Sequence, residues 1–164
     1  MKNDINREFI KKSIMSGILI GLCADIYNRT GGIVGAFLFS IGLLTICMSG
    51  LLLFTGKVGS SNDVKQLIIM ISCNILGVVS MRILFHFNNI FVLGIGCGML
   101  MQIGVVAYKK NLPLLTAVCV MAFILSGYKH CIAYVFNYSN IAELILIICG
   151  NIIGAKVCYI GGIR

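Results

Sequence analysis

Lys129 and His130 are the side chains in this sequence best suited to act on a small anion. They are adjacent, and they lie in an otherwise apolar stretch directly after Ser126-Gly127-Tyr128. A charge near the bilayer centre costs roughly 2.5–3.5 kcal/mol even on lenient insertion scales, so a basic pair there needs water, a partner or a function. Lys129 offers positive potential to an anion, and His130 offers an imidazole, which proteins use for proton transfer. The alternative is structural: Lys129 extends to an interface and His130 bonds a backbone carbonyl.

Two Ser-Gly pairs, Ser49-Gly50 and Ser126-Gly127, interrupt apolar helical patterns at matching places. Glycine at membrane depth frees backbone groups, which is tolerated only where protein or a water-filled cavity satisfies them. Interrupted helices at corresponding places in two halves of a chain indicate a substrate pathway. The alternative interpretation is a pair of packing glycines without a pathway.

These pairs belong to an internal repeat. A shift of 77 residues superposes six small or polar positions: Gly17 on Gly94, Gly21 on Gly98, Ser49 on Ser126, Gly50 on Gly127, Asn74 on Asn151 and Gly77 on Gly154. The small-xxx-small spacings and the two asparagines predict close helix packing with hydrogen bonds across it. We therefore expect Asn74, Gly77, Asn151 and Gly154 to shape the pathway without contacting what passes through it.

The elements that position these residues are predicted from composition. The chain is 59% apolar and 11% charged, with a mean hydropathy of +1.03, too few charges for a water-facing surface. Apolar stretches near residues 12–28, 33–55, 67–87, 90–108, 112–127 and 141–155 approach the roughly 20 residues that cross a bilayer. Unbroken apolar runs exclude a barrel. The sequence thus predicts one all-α transmembrane domain, 1–164, with about six spans, of which the second and fifth are broken.

Three spans in each half require the halves to enter the membrane from opposite sides. We therefore expect inverted repeats of approximately residues 9–87 and 86–164. Ten of the thirteen basic residues flank the spans on one side, which predicts that both termini are cytoplasmic in a multi-pass cell-membrane protein. That distribution explains the net charge without nucleic acid as a partner.

The eight cysteines form no C-x-x-C pair and have no histidine at ligand spacing. We interpret them as small buried hydrophobes and predict no metal, no cofactor and no disulfide. No catalytic pair lies at a plausible spacing, so an enzyme is not expected.

Several segments resemble the formate/nitrite transporter family. Cys73-Asn74-Ile75-Leu76-Gly77 and Gly150-Asn151-Ile152-Ile153-Gly154 are similar to its G-N-x-x-G elements, and residues 35–56 resemble its second helix with a looped break. Residues 126–133 are similar to its S-G-F-E-H-S-I-A-N motif. Lys129 stands where that motif has an acid, and Tyr134 where it has asparagine.

The resemblance implies a homopentamer of aquaporin-like protomers, each with its own pore. It implies that Thr55 lines the looped break and that His130 is the central pore histidine. It also implies apolar constrictions on either side, formed by Phe39, Leu43, Leu53 and Phe123.

These observations predict a membrane channel or transporter for small monovalent anions of weak acids such as formate, nitrite or hydrosulfide. A bare anion must give up its hydration to cross an apolar constriction, so His130 is expected to assist by supplying a proton. The alternative is a non-transporting membrane subunit whose broken helices and basic pair bind a partner or a lipid headgroup.

Overall fold

The computed structural model describes residues 5–137 and 140–164, and those residues contain helices and no β-strand. The helices are α1 Arg7–Thr30, α2 Gly32–Met48, α3 Phe54–Lys57, α4 Val64–His86, α5 Ile90–Lys109, α6 Pro113–Leu125, α7 Cys131–Tyr134 and α8 Ile141–Gly161. A short 3-10 turn, Val135–Asn137, follows α7. The predicted all-α class is confirmed.

Three helices, α4, α5 and α8, are long and apolar enough to cross a membrane. α2 and α6 are also apolar but shorter, because each ends at a Ser-Gly pair. The outward faces of α4 and α8 expose large aliphatic side chains, among them Ile68, Ile75, Ile83, Ile145 and Ile152. Apolar faces of this extent need a non-aqueous partner, which fits the membrane protein that the composition predicts.

The helix starts follow local capping rules. Asn6, Asp63, Asn89 and Asn140 each precede a long helix, and each accepts a hydrogen bond from a backbone N–H of the first turn at 2.8–3.0 Å. Asparagine and aspartate favour this position because their side-chain oxygen satisfies an amide that lacks a helical partner. Pro113 begins α6, where its missing N–H is not needed. These residues set where the long helices begin.

Six of the helices form two groups of three. α1 packs against α2 and α4, whereas α5 packs against α6 and α8. The groups meet where α2 contacts α6, where α1 contacts α6 and α8, and where α5 contacts α2 and α4. Fully buried side chains of α1 and α5, including Leu19, Leu22, Leu100 and Ile103, lie in the main core. The two helices therefore form the centre of the molecule.

Glycines bring the helix backbones into direct contact in both groups. A Cβ added at Gly17 would collide with the carbonyl of Asn74, and one at Gly98 would collide with the carbonyl of Asn151. Gly77 approaches the backbone of Ile14 in the same way. Such approach permits extensive dispersion contact between helices that lack a hydrophobic driving force in lipid. It also places each asparagine against the first helix of its group.

The contacts correct the register of the repeat. Gly17 packs on Asn74 as Gly98 packs on Asn151, so α1 and α5 correspond at a shift of 81 residues, not 77. The 77-residue shift holds from Ser49 onward, where α3 and α4 begin 77 residues before α7 and α8. The difference of four arises because α2 has 17 residues and α6 has 13, about one helical turn. The predicted pairing of Gly17 with Gly94 is therefore wrong.

Candidate functional site

The first helix break begins at Ser49-Gly50. α2 ends at Met48, Gly50 has a φ of 60°, and residues 51–53 are extended before α3 begins at Phe54. A positive φ is strained for residues with a Cβ, which explains why glycine stands here. The chain thus leaves the helix and re-enters one within five residues, 49–53.

The second break has the same geometry. α6 ends at Leu125, Gly127 has a φ of 71°, and residues 128–130 are extended before α7 begins at Cys131. The backbone N–H of Leu51 bonds the carbonyl of Ile46 at 3.0 Å, and that of Tyr128 bonds the carbonyl of Phe123 at 2.9 Å. The interruptions predicted from the two Ser-Gly pairs therefore lie where the middle helix of each group ends.

Asn74 holds the first break to α1. Its Nδ2 donates to the carbonyls of Ser13 at 2.7 Å and Leu52 at 3.0 Å. Its Oδ1 accepts from the N–H of Phe54 at 2.8 Å. The buried amide therefore satisfies three backbone groups, two of which the break leaves without helical partners.

Asn151 holds the second break to α5 in the same way. Its Nδ2 donates to the carbonyls of Gly94 at 2.9 Å and Lys129 at 2.8 Å, and its Oδ1 accepts from the N–H of Cys131 at 2.9 Å. Each asparagine thus bonds the first helix of its group, the extended segment and the start of the short helix. Sequence reasoning assigned them to packing; the structure adds that they fix the backbone of the breaks.

Lys129 and His130 lie in the extended segment of the second break. The backbone N–H of Lys129 donates to the carbonyl of Leu93 at 3.2 Å, and its half-buried side chain has no polar partner among residues 5–137 and 140–164. His130 Nδ1 accepts from the N–H of Ala133 at 3.3 Å, which caps α7. Its ring stacks on Phe123 with 5.7 Å between centroids. The structure therefore brings together Lys129, His130 and one residue predicted to form a constriction.

Thr55 lies at the first break, in a cavity of about 270 Å³ between α1, α3 and α4. Leu53 and Asn74 line this cavity with it, whereas Lys129 and His130 do not. The cavity therefore belongs to the first break alone and does not join Thr55 to His130.

The four residues predicted to form constrictions have different surroundings. Phe39, Leu53 and Phe123 are half-buried and pack against the main core. Leu43 is 51% exposed on α2. Phe123 alone of the four contacts His130 through its ring in the described part of the chain.

The serine of each break has a buried hydroxyl. Ser49 Oγ and Ser126 Oγ are inaccessible and have no hydrogen-bond partner among the described residues, as is also true of Thr45 Oγ1 one turn before Ser49. Buried hydroxyls normally have hydrogen-bond partners. The two breaks therefore share unused hydrogen-bonding capacity.

A polar cluster that sequence reasoning left without a role joins the two groups of helices. The Tyr128 hydroxyl donates to Asp25 Oδ2 at 2.7 Å, and Arg29 Nε donates to the same oxygen at 2.5 Å. The Arg29 guanidinium lies 5.4 Å from the centre of the Tyr128 ring and also donates to Asn88 Oδ1 at 2.8 Å. The i, i+4 spacing of Asp25 and Arg29 could have indicated their ion pair. Nothing in the sequence indicated Tyr128, which is 103 residues from Asp25.

Two further contacts stabilise the ends of the broken helices. Lys110 Nζ donates to the carbonyl of Met48 at 3.0 Å, so a cation from the end of α5 meets the negative end of the α2 dipole. Tyr134, the residue that departs from the family motif, donates its hydroxyl to Glu143 and ties α7 to α8. Both contacts join residues on separate helices.

No group of three or more histidine, cysteine, aspartate or glutamate side chains within residues 5–137 and 140–164 could hold a metal ion. The eight cysteines are free thiols.

Comparison with known proteins identifies no relative. No family model, no curated protein and no solved structure matches this chain.

Proposed function

We propose that this chain is a membrane channel or transporter for small monovalent anions of weak acids, such as formate, nitrite or hydrosulfide. The observation that carries the proposal is the pair of helix breaks, each fixed by an asparagine through three hydrogen bonds. Non-helical backbone at membrane depth is tolerated where it lies within protein or lines a water-filled path. Matching breaks in two halves are the usual setting of a substrate pathway.

The second break supplies the electrostatics that an anion requires. Lys129 provides positive charge from a half-buried position without a described polar partner. This charge offsets part of the free energy that an anion loses when it leaves water. Lys129 acts as an electrostatic attractor for the anion.

His130 supplies the proton. Because its Nδ1 accepts the N–H of Ala133, the neutral ring carries its hydrogen on Nε2. The neutral ring offers that hydrogen only as a hydrogen bond to an anion or a water beside Phe123. To supply a proton, the ring first takes one from water on Nδ1, which gives up the bond from Ala133, and then passes its Nε2 proton to the anion. The ring is left neutral with its hydrogen on Nδ1. Passage of the neutral acid past the apolar ring avoids moving a bare charge through it, so transport depends on pH without covalent chemistry.

The proposed topology has about six membrane spans, and the three membrane-capable helices are three of them. α1 and the two broken segments, α2 with α3 and α6 with α7, supply the others. The halves are inverted in an aquaporin-like protomer, and both termini lie in the cytoplasm of a cell-membrane protein. The family resemblance adds a homopentamer embedded in the lipid bilayer, with no cofactor.

Uptake into liposomes tests the function. Purified protein is reconstituted, and uptake of formate, nitrite, hydrosulfide, lactate and acetate is compared with protein-free liposomes. The proposal predicts faster uptake of at least the smallest anions, with rates that fall as the anion grows. A non-transporting subunit would leave every rate at the protein-free level, and that result would reject the proposed function.

A further inference from the structure

A cavity of about 320 Å³ lies between α1 and α4, toward the C-terminal ends of both helices. Asp25 and Asn28 of α1 line it together with Arg82, Phe85 and His86 of α4. The proposed pathway through the two breaks does not use Arg82, His86 or Asn28. Their position around one cavity calls for its own explanation.

The charge of the cavity is positive. Asp25, its acidic lining residue, already pairs with Arg29 and accepts from the Tyr128 hydroxyl. Arg82, by contrast, has no hydrogen-bond or ion-pair partner within residues 5–137 and 140–164. The protein thus balances the negative charge internally and leaves one guanidinium free to face a ligand.

We propose that this cavity binds a small monovalent oxyanion, and that its preferred ligand is a carboxylate such as formate. The Arg82 guanidinium is the main contact and the Asn28 amide is a second donor. Guanidinium groups bind carboxylates through two parallel N–H donors, a geometry that an ammonium group cannot supply. Both donors, Asn28 and Arg82, are exposed. The anion therefore stays partly hydrated, and we expect a dissociation constant of about 1 mM or weaker.

The role of this site as a vestibule for the pathway rests on the proposed function. Phe85, which lines the cavity, stacks on Tyr128 with 5.5 Å between ring centroids. Asp25, which also lines it, accepts from the hydroxyl of the same residue. Tyr128 directly precedes Lys129 and His130. The lining of the cavity therefore contacts Tyr128, a residue of the second break itself.

The same oxyanion chemistry is offered by the phosphate of an anionic lipid headgroup. The experiment therefore has two arms, which use nanodiscs made only of zwitterionic lipid and nanodiscs that contain phosphatidylglycerol. In the first arm, isotope-labelled formate is titrated against the full-length protein and followed by NMR. In the second arm, retention of phosphatidylglycerol by the protein is measured without formate.

Three variants define the contact. Arg82→Gln removes the guanidinium and should weaken formate binding by about tenfold. Arg82→Lys keeps the positive charge but lacks the two parallel N–H donors, so its affinity for formate should lie between those of wild type and Arg82→Gln. Lys65→Gln is the matched control, because it removes one positive charge from the exposed opposite end of α4. It should bind formate within about twofold of wild type. An unchanged thermal transition verifies that each variant is folded.

The outcomes separate this site from the proposed function. Equal formate binding by wild type and Arg82→Gln, or no saturable binding by wild type, would overturn the site. Arg82-dependent retention of phosphatidylglycerol without formate binding would overturn it in favour of a lipid headgroup. Arg82-dependent formate binding supports the site even if liposomes show no uptake, which would reject transport alone.

Discussion

His130 combines a structural and a chemical role in one ring. Its Nδ1 caps α7 through the N–H of Ala133, while its Nε2 is the atom proposed to serve the anion. Substitution by alanine would remove both roles at once, so loss of transport could reflect a frayed helix start. Asparagine is a favoured N-cap and does not titrate, so His130→Asn separates the two roles.

Charge substitutions at Lys129 test its proposed role as an attractor for the anion. Lys129→Gln should lower the initial rate of formate uptake, and Lys129→Glu should lower it further, by roughly tenfold or more in total, because an opposite charge repels the anion. The measurement is uptake into liposomes at matched protein content. The ordering of the rates is decisive, because a single loss of flux could come from misassembly.

Lys57→Gln and Lys57→Glu provide the matched control series. Lys57 is exposed at the end of α3, where charge is well screened, so the two substitutions should change uptake little. If the Lys129 and Lys57 series gave the same rates, the Lys129 side chain would lie outside the pathway.

At the scale of elements, the breaks depend on two asparagines more than on the glycines beside them. Glycine permits the positive φ at Gly50 and Gly127 but has no side chain to bond the backbone groups of the break. Asn74 and Asn151 supply three hydrogen bonds each, and a break without them would leave backbone groups unpaired. An unpaired buried donor or acceptor costs roughly 1–3 kcal/mol.

We expect Asn74→Leu and Asn151→Leu each to destabilise the protein by at least about 2 kcal/mol. The measurement is the thermal transition of the protein in detergent. Asn151→Leu should also lower formate uptake in whatever fraction still folds, because Asn151 bonds the carbonyl of Lys129. Asn62→Leu is the control, since Asn62 is exposed between α3 and α4, and surface substitutions usually change stability by about 0.5 kcal/mol or less. Equal transitions for Asn74→Leu and Asn62→Leu would contradict the account of the breaks.

The helix ends could be predicted because their signals are local. Ser-Gly pairs marked where α2 and α6 end, and asparagine or aspartate marked where four long helices begin. The register of α1 against α5 could not be predicted in the same way. Gly17 and Gly21 in α1 are four residues apart, as are Gly94 and Gly98 in α5, so shifts of 77 and 81 residues each superpose one glycine on another. Only the contacts with Asn74 and Asn151 distinguish them.

At the scale of the whole molecule, the two groups of helices meet through contacts that no local pattern encodes. Asp25 and Tyr128 lie on different groups and bond across 103 residues of sequence. Lys110 reaches Met48 across 62 residues. The sequence therefore predicts the class of fold and the location of the breaks, whereas the polar contacts between the groups emerge only from the packed structure.

Cysteine labelling tests the proposed orientation of the whole protein in the membrane. In a cysteine-free background, single cysteines at positions 57 and 109 should resist a membrane-impermeant thiol reagent added outside cells. A cysteine at position 87, beyond the other end of α4, should react. Basic residues concentrate near positions 57 and 109, which indicates the cytoplasmic side. External labelling at position 109 with protection at position 87 would show that the protein has the opposite orientation in the membrane.

The role proposed for His130 in anion passage is tested by the pH dependence of formate uptake by wild-type protein and His130→Asn in liposomes. Initial rates are measured between about pH 5 and about pH 8, where imidazoles exchange protons, and protein-free rates are subtracted. Wild-type protein should take up formate well above the protein-free rate, with a marked dependence on pH. His130→Asn, with an unchanged thermal transition, should lose that dependence. Wild-type uptake no faster than in protein-free liposomes would rule out transport, and the same pH profile in both proteins would rule out a role for His130 in proton transfer.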